Sequence, residues 1–256
     1  MIRRFQCVLF LIFVSLVRGD DKELPIVANA RELKKVDSNK IIWQRDGSTM
    51  SYIPSSESTK SFWMDTTEVT VGQFKQFLQS AGHKNTKPID WDLIDECSPT
   101  DKHPMVYVSW HDAVAYAVWA GKRLPYENEW EFAARGGLLG KIYPWGNDES
   151  LARDYSNFKG VGGKDKWDRQ IAPVASLKPN GYGLHDMAGN VWEWCQDWYE
   201  SDQGIHQYAI GYWKVVRGGS YQLSIFYLPV SNRVLGRCLP IRRFEDNGFR
   251  CVVNEQ

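Results

Sequence analysis

Apolar residues recur at helical spacing in three stretches of the chain. Behind Thr70, the residues Val71, Phe74, Phe77 and Leu78 share one side and Gly82 offers a stop, so the spacing predicts a capped helix. Ser109 followed by Asp112 has the spacing of a capping box, which predicts a helix over 109–120 with Val114 and Val118 inward and Gly121 as its end. A third helix is predicted over Glu127–Arg135, carrying Trp130, Phe132 and Ala133 and stopping at Gly136-Gly137. Beyond residue 137 the pattern breaks into short apolar pieces. Pro144, Pro173, Pro179 and many glycines punctuate them, and large rings recur at Trp145, Trp167, Trp192, Trp194 and Trp198. Short strands joined by long ordered loops suit this better than a doubly wound sheet. No repeat of roughly 20–50 residues is evident, which argues against a propeller or solenoid. Residues 20–49 are polar and weakly periodic and read as a leader, which puts the domain at 50–254.

The first residues, MIRRFQCVLFLIFVSLVRGDD, follow a different pattern. Arg3 and Arg4 precede a mostly apolar run from Cys7 to Val17, and compact residues at Val17 and Gly19 come before Asp20. This is the layout of a signal peptide over residues 1–19, and the run is short for a bilayer span. The expected location is therefore outside the cytoplasm: secreted, periplasmic or in the lumen of a secretory pathway, with no membrane span after cleavage. Removing residues 1–19 leaves 28 basic against 31 acidic residues, a net charge of −3. Cys97, Cys195, Cys238 and Cys251 remain, and four cysteines in an oxidising compartment permit up to two disulfides in three pairings. No CxxC is present, so neither a zinc knuckle nor a thioredoxin-type motif fits.

Composition narrows the classes further. The 256 residues are 43 % hydrophobic and 24 % charged, with 31 Lys+Arg against 31 Asp+Glu. That excludes a disordered or collagen-like chain, and the charge balance gives no reason to expect nucleic acid or acidic lipid as partner. Aromatic residues reach 14 %, including 12 tryptophans, which suits large rings filling an irregular interior.

Residues 107–137 (YVSWHDAVAYAVWAGKRLPYENEWEFAARGG), 143–147 (YPWGN), 172–174 (APV), 180–194 (NGYGLHDMAGNVWEW), 217–221 (RGGSY) and 248–251 (GFRC) follow one another in an order that resembles the sulfatase-modifying factor, or formylglycine-generating enzyme, family. The resemblance implies an α+β fold: a single domain with low regular secondary structure, related to C-type lectin-like folds. It also implies a chemistry that this sequence lacks. Family enzymes oxidise a substrate cysteine with copper(I) held by two cysteines, three and eight residues after the serine of RGGS. Counted from Ser220 those positions are Leu223 and Leu228. Soft thiolates suit copper(I) and leucine offers no ligand atom, so no copper is expected and no catalytic residue is assigned. Cys251 matches a family disulfide position whose usual partner position is Ala117 here. A Ser220–His185–Asp197 triad lacks the GxSxG elbow, and the five histidines form no HxxH, HxxxH or HxE pattern.

The resemblance further implies two structural calcium sites. One would use Asn157, the Phe158 carbonyl, Asp165 and the Trp167 carbonyl. The other would use Asp186, the Gly189 and Val191 carbonyls, and Glu193. The alternative makes Asp165 and Asp186 loop caps and Glu193 the buried partner of an arginine. Because relatives hold an extended peptide near RGGS, the surface of Ser220, Tyr221, Leu223, Phe226, Leu228 and Arg233 is the expected groove for a peptide, protein or small ligand. The leading expectation is a binding or accessory module. The runner-up is an enzyme with altered oxidative or hydrolytic chemistry in the same groove, as in siderophore-maturation relatives, and a structural envelope protein is the third reading.

Overall fold

A computed structural model describes residues 23–81, 88–160, 167, 169–200 and 211–255. The predicted signal segment, Asp165 and Gly82 lie outside them. Short strands open the chain: β1 (Ile26–Val27), β2 (Lys40–Trp43), β3 (Thr49–Ile53) and β4 (Phe62–Asp65). Helices follow: α1 (Val71–Ala81), α2 (Trp91–Cys97), α3 (Trp110–Trp119), α4 (Glu127–Ala134) and the single turn α5 (Ala152–Tyr155). The remainder returns to strands: β5 (Trp192–Trp198), β6 (Lys214–Arg217), β7 (Arg237–Cys238), β8 (Asn247–Gly248) and β9 (Val252–Val253). One sheet runs β1-β2-β3-β4-β9 and the other β7-β6-β5-β8.

The segment expected to be a leader belongs to the fold. Ile41 and Trp43 of β2 are buried with Val27, Leu33, Met50 and Trp63, and β1 pairs in parallel with β2. Polar residues alternate with these few apolar anchors, so the stretch has little net hydrophobicity although each anchor is fully used. The Trp43 indole donates to the Ala120 carbonyl at the end of α3, which ties the first sheet to the helices.

Local chemistry sets the helix starts. Thr70 Oγ1 accepts from Gln73 N at 3.2 Å while Thr70 N donates to the Gln73 side chain at 2.9 Å. Ser109 and Asp112 close a capping box at α3. The inward face of α3 differs from the expected one. Ala113, Tyr116, Ala117 and Ala120 are buried, Val114 is only partly so, and Val118 is 70 % exposed. The Tyr116 ring decides this orientation. It packs against Phe74, Phe77 and Phe249, and its hydroxyl donates to buried Asp46 at 2.9 Å. Asp46 and Asp65 flank the fully buried Lys122 ammonium at 2.8 and 2.6 Å, so the strand end and the residues after α3 share one charged knot. The Lys122 charge and hydrogen bonds hold the Asp46 carboxyl below its usual range, outweighing the burial that raises it.

Candidate functional site

The second sheet carries the RGGS motif at the end of β6. Arg217 is buried, and its guanidinium donates to Glu131 Oε2 at 2.8 Å and Glu127 Oε1 at 3.3 Å, both from α4. The same group donates to the carbonyls of Val230 at 2.6 Å and Asn232 at 3.1 Å. Arg233 reaches Glu127 at 2.9 Å. Two arginines thus clamp the far end of the 220–233 segment onto α4. Gly218 and Gly219, with φ of 97° and 79°, allow the tight turn between strand and segment.

Within the segment the expected groove residues divide. Ser220 is fully buried and its hydroxyl donates to Asp246 Oδ2 at 2.7 Å. Burial raises the Asp246 carboxyl despite that bond. The Tyr221 ring packs with Val106, Ile171 and Val191, and its phenol accepts from Gln222 Nε2 at 3.0 Å. Leu228 is buried among Tyr143, Phe158 and Ala188, and Leu223 packs partly against the main core. Phe226 stands 67 % exposed on the turn Ile225–Tyr227. Ser220, Tyr221, Leu223 and Leu228 therefore form the support of this surface, Phe226 reaches into solvent, and Arg233 stays mostly covered in its pair with Glu127. A cleft of about 780 Å³ lies elsewhere, between residues 54–58 and α4, with Phe132 and Tyr182 in its lining. None of the six expected groove residues lines it.

The hydrolytic triad does not assemble. Ser220 bonds Asp246, His185 Nδ1 contacts the Leu177 carbonyl, and Asp197 accepts from the Glu127 backbone. The four described cysteines are free thiols. Ala117 and Cys251 both belong to the main core cluster, and Ala117 offers no sulfur for a disulfide with Cys251.

The expected calcium donors differ in how well they suit a cation. Asn157 Oδ1 is buried without a hydrogen-bond partner, which suits a cation, whereas the Phe158 carbonyl accepts from Arg153 and the Trp167 carbonyl from Gln170 N. At the second set, Glu193 does not fit. Its Oε1 accepts from Arg250 Nη2 and its Oε2 from Arg250 Nε, each at 2.7 Å, and Trp130 Nε1 donates to Oε2 at 2.7 Å. Asp186 does fit: its backbone is left-handed at φ 59°, Oδ2 accepts from Ala175 N, and Oδ1 is buried without a partner. Against it lies Glu68, with Oε1 bonded by Asn190 and Oε2 unpartnered. Burial raises both carboxyls, and the Asp186 charge helps push Glu68 far above its ordinary range, whereas the protonated Glu68 facing Asp186 moderates the rise there. Gly189 keeps the Asn157 backbone close, since any Cβ at this position would overlap the Asn157 carbonyl. Among the described residues no group of three or more His, Cys, Asp or Glu side chains converges as a metal site.

Sequence reasoning missed Glu68 and Arg250. Arg250, inside the GFRC motif, is the arginine that the alternative reading of Glu193 requires without identifying. Glu68 in EVT stands more than a hundred residues from Asp186, and no local spacing links them.

Residues 40–255 match the sulfatase-modifying factor enzyme 1-like domain. The chain belongs to this family. The sulfatase-modifying factor domain here is 46 % identical over 165 residues to a formylglycine-generating enzyme of Streptomyces coelicolor, covering 59 % of this chain and 52 % of that one. It is 47 % identical over 124 residues to the inactive C-alpha-formylglycine-generating enzyme 2 of Bos taurus, covering 46 % of this chain and 38 % of the relative. The chain spans about half the length of the curated formylglycine-generating enzymes it matches. In fold it is similar to the structure of PvdO from Pseudomonas aeruginosa, with a TM-score of 0.65 and 22 % identity over 85 % of this chain and 99 % of that one. The expected α+β, formylglycine-generating-enzyme-like fold is therefore the fold of this family member. No helix among the described residues is long and apolar enough to cross a membrane.

Proposed function

We propose that this chain is an exported, copper-independent member of the family that acts as a binding or accessory module, recognising a peptide or other ligand at the Ser220–Arg233 surface. The observation that carries the reading is the fate of the two ligand positions: Leu223 and Leu228 are apolar side chains packed into core clusters. A buried leucine neither binds copper(I) nor cycles electrons. The surrounding segment is nonetheless held firmly by Arg217 and Arg233, which suits a surface that meets a partner. The test is incubation with a cysteine-bearing sulfatase peptide, with and without copper. Mass spectrometry should find no aldehyde, while retention of the peptide should fall with Phe226→Ala.

A second reading rests on the Ser220–Asp246 pair. A part-buried carboxylate accepting from a hydroxyl at 2.7 Å supplies the proton acceptor a general base needs, so altered hydrolytic chemistry in the same place is the alternative. Turnover lost in both Ser220→Ala and Asp246→Asn would favour it.

Structural calcium is part of the proposal in modified form. At the second site the ion would take the Asp186 and Glu68 carboxylates, and at the first an ion would take the Asn157 oxygen. Hard oxygen donors of this kind suit Ca²⁺. Glu193 is left to Arg250.

A further inference from the structure

The whole-chain charge balance hides a local surplus. Residues 224–243 contain four arginines (Arg233, Arg237, Arg242, Arg243) and no acid. Glu127 neutralises Arg233 and Asp112 neutralises Arg243. Arg237 lies between the rings of Tyr199 and Trp213, at 5.4 and 5.0 Å, and neither it nor Arg242 meets a carboxylate among the described residues. Both are exposed, and Arg237 adjoins the turn that precedes β7.

Between Arg233 and Arg237 the backbone makes a tight turn, closed by Gly236 N to the Arg233 carbonyl at 2.9 Å and Arg237 N to the Leu235 carbonyl at 2.7 Å. Its tip carries Val234, 52 % exposed, and Leu235, 58 % exposed. Leu235 is in the left-handed region at φ 64°, which costs a branched apolar side chain about 1 kcal/mol or more and which Asn or Gly would adopt freely. The strain is held in place. Val234 N bonds the Asn232 side chain, Asn232 Nδ2 bonds the Phe226 carbonyl, and Arg217 grips the Asn232 carbonyl. A rigid turn therefore holds two aliphatic side chains out in water, with the Arg237 cation on one side and the Arg233–Glu127 ion pair on the other. Exposed Phe226 sits on the stretch bonded to it.

We propose that this turn docks the protein on an anionic lipid surface, with Val234 and Leu235 entering the headgroup region and the adjoining Arg237 meeting lipid phosphates. Apolar side chains at a protruding tip suit a deformable medium, whereas a pre-shaped protein partner is more often met by a groove or a flat patch. Arginine beside them suits headgroups, because its apolar stem lies along the acyl boundary while its fork binds phosphate. The proposal goes beyond the recognition of a ligand at Ser220–Arg233 and stands without it, since no peptide takes part.

The test is co-sedimentation of the signal-free chain with vesicles of phosphatidylcholine alone and of phosphatidylcholine mixed with phosphatidylglycerol. Binding is expected to the mixed vesicles only and to weaken with salt. Leu235→Asn relieves the left-handed strain, so its melting temperature should hold or rise while partitioning falls about tenfold, the loss of part of one leucine's burial. Arg237→Gln should reduce binding and flatten its salt dependence. Equal sedimentation with both vesicle types, or a Leu235→Asn protein that binds as well as the parent, would overturn the proposal.

Discussion

Replacing Glu193 by Gln tests the identity of its partner directly. The carboxylate is fully buried, and its two oxygens receive two hydrogen bonds from Arg250 and one from the Trp130 indole, all at 2.7 Å. Glutamine keeps one acceptor oxygen but turns its amide N–H₂ toward groups that only donate. It also leaves the buried guanidinium without a counter-ion at contact distance. Removing one member of such a buried pair costs about 3–5 kcal/mol. At roughly 2–4 °C per kcal/mol for a domain of this size, the melting temperature should fall by about 6–20 °C. The assay is thermal and urea unfolding, run in chelator and again in millimolar calcium. Because the partner is an arginine, the loss should be equally large in both buffers. Changing Arg250→Met in the same chain should cost less than the two single losses summed, since the charges are then removed together. The orphaned His185 and Asp65 carbonyls, which Arg250 also serves, keep the double change from being neutral. A loss below about 1 kcal/mol, or one that vanishes in chelator, would refute the ion-pair assignment and return Glu193 to a cation.

Other outcomes follow from the same geometry. Glu68 holds its proton in the native state above its ordinary value of 4.5, whereas the unfolded chain releases it. The unfolded state then binds fewer protons, so stability in chelator should decline as pH rises from about 4.5 toward the raised native value. Glu68→Gln should remove that decline in chelator-buffered melts across pH. Calcium competes for the same ionised oxygens, so added Ca²⁺ should raise the melting temperature by several degrees at neutral pH and little near pH 4, and less in Asp186→Asn. Unchanged melting, with no calcium detected by elemental analysis, would remove the ion from the account. Intact-mass measurement of exported material should show loss of about 19 residues, and a chain retaining Met1 would contradict the signal reading. Leu223→Cys combined with Leu228→Cys should gain copper(I) affinity measurable by chelator competition, although burial at Leu228 makes that chain less stable.

The helix starts were legible because capping is local: Thr70 with Gln73 and Ser109 with Asp112 lie within one turn. The short strands after residue 137 were legible as a class, from proline and glycine punctuation. The face of α3 was misread because periodicity favours the larger valines, whereas the phenol of Tyr116 needed Asp46, a residue seventy positions away. The strands before residue 50 were missed for a related reason: two-residue and four-residue strands offer too few positions for alternation to show. At the candidate site, the leucines at the ligand positions could be read from spacing alone. The pairing of Glu193 with Arg250 and the approach of Glu68 to Asp186 could not, because each joins segments that only the folded chain brings together.

The order of the first sheet has a consequence for how such a chain comes into being. β4 finds its outer neighbour in β9, nearly two hundred residues later, and Arg123 exchanges backbone bonds with Val252. Arg250 and Cys251, just before that strand, supply the counter-ion for Glu193 and a backbone donor for Asp65. A ribosome that has delivered the first 240 residues has therefore made nearly all of the apolar surface and none of the closure. Until the GFRC segment emerges, β4 is an open edge, Glu193 lacks its arginine, and Asp65 has Lys122 but not the Cys251 backbone donor. Closure of this sheet edge is thus timed by the arrival of the GFRC segment.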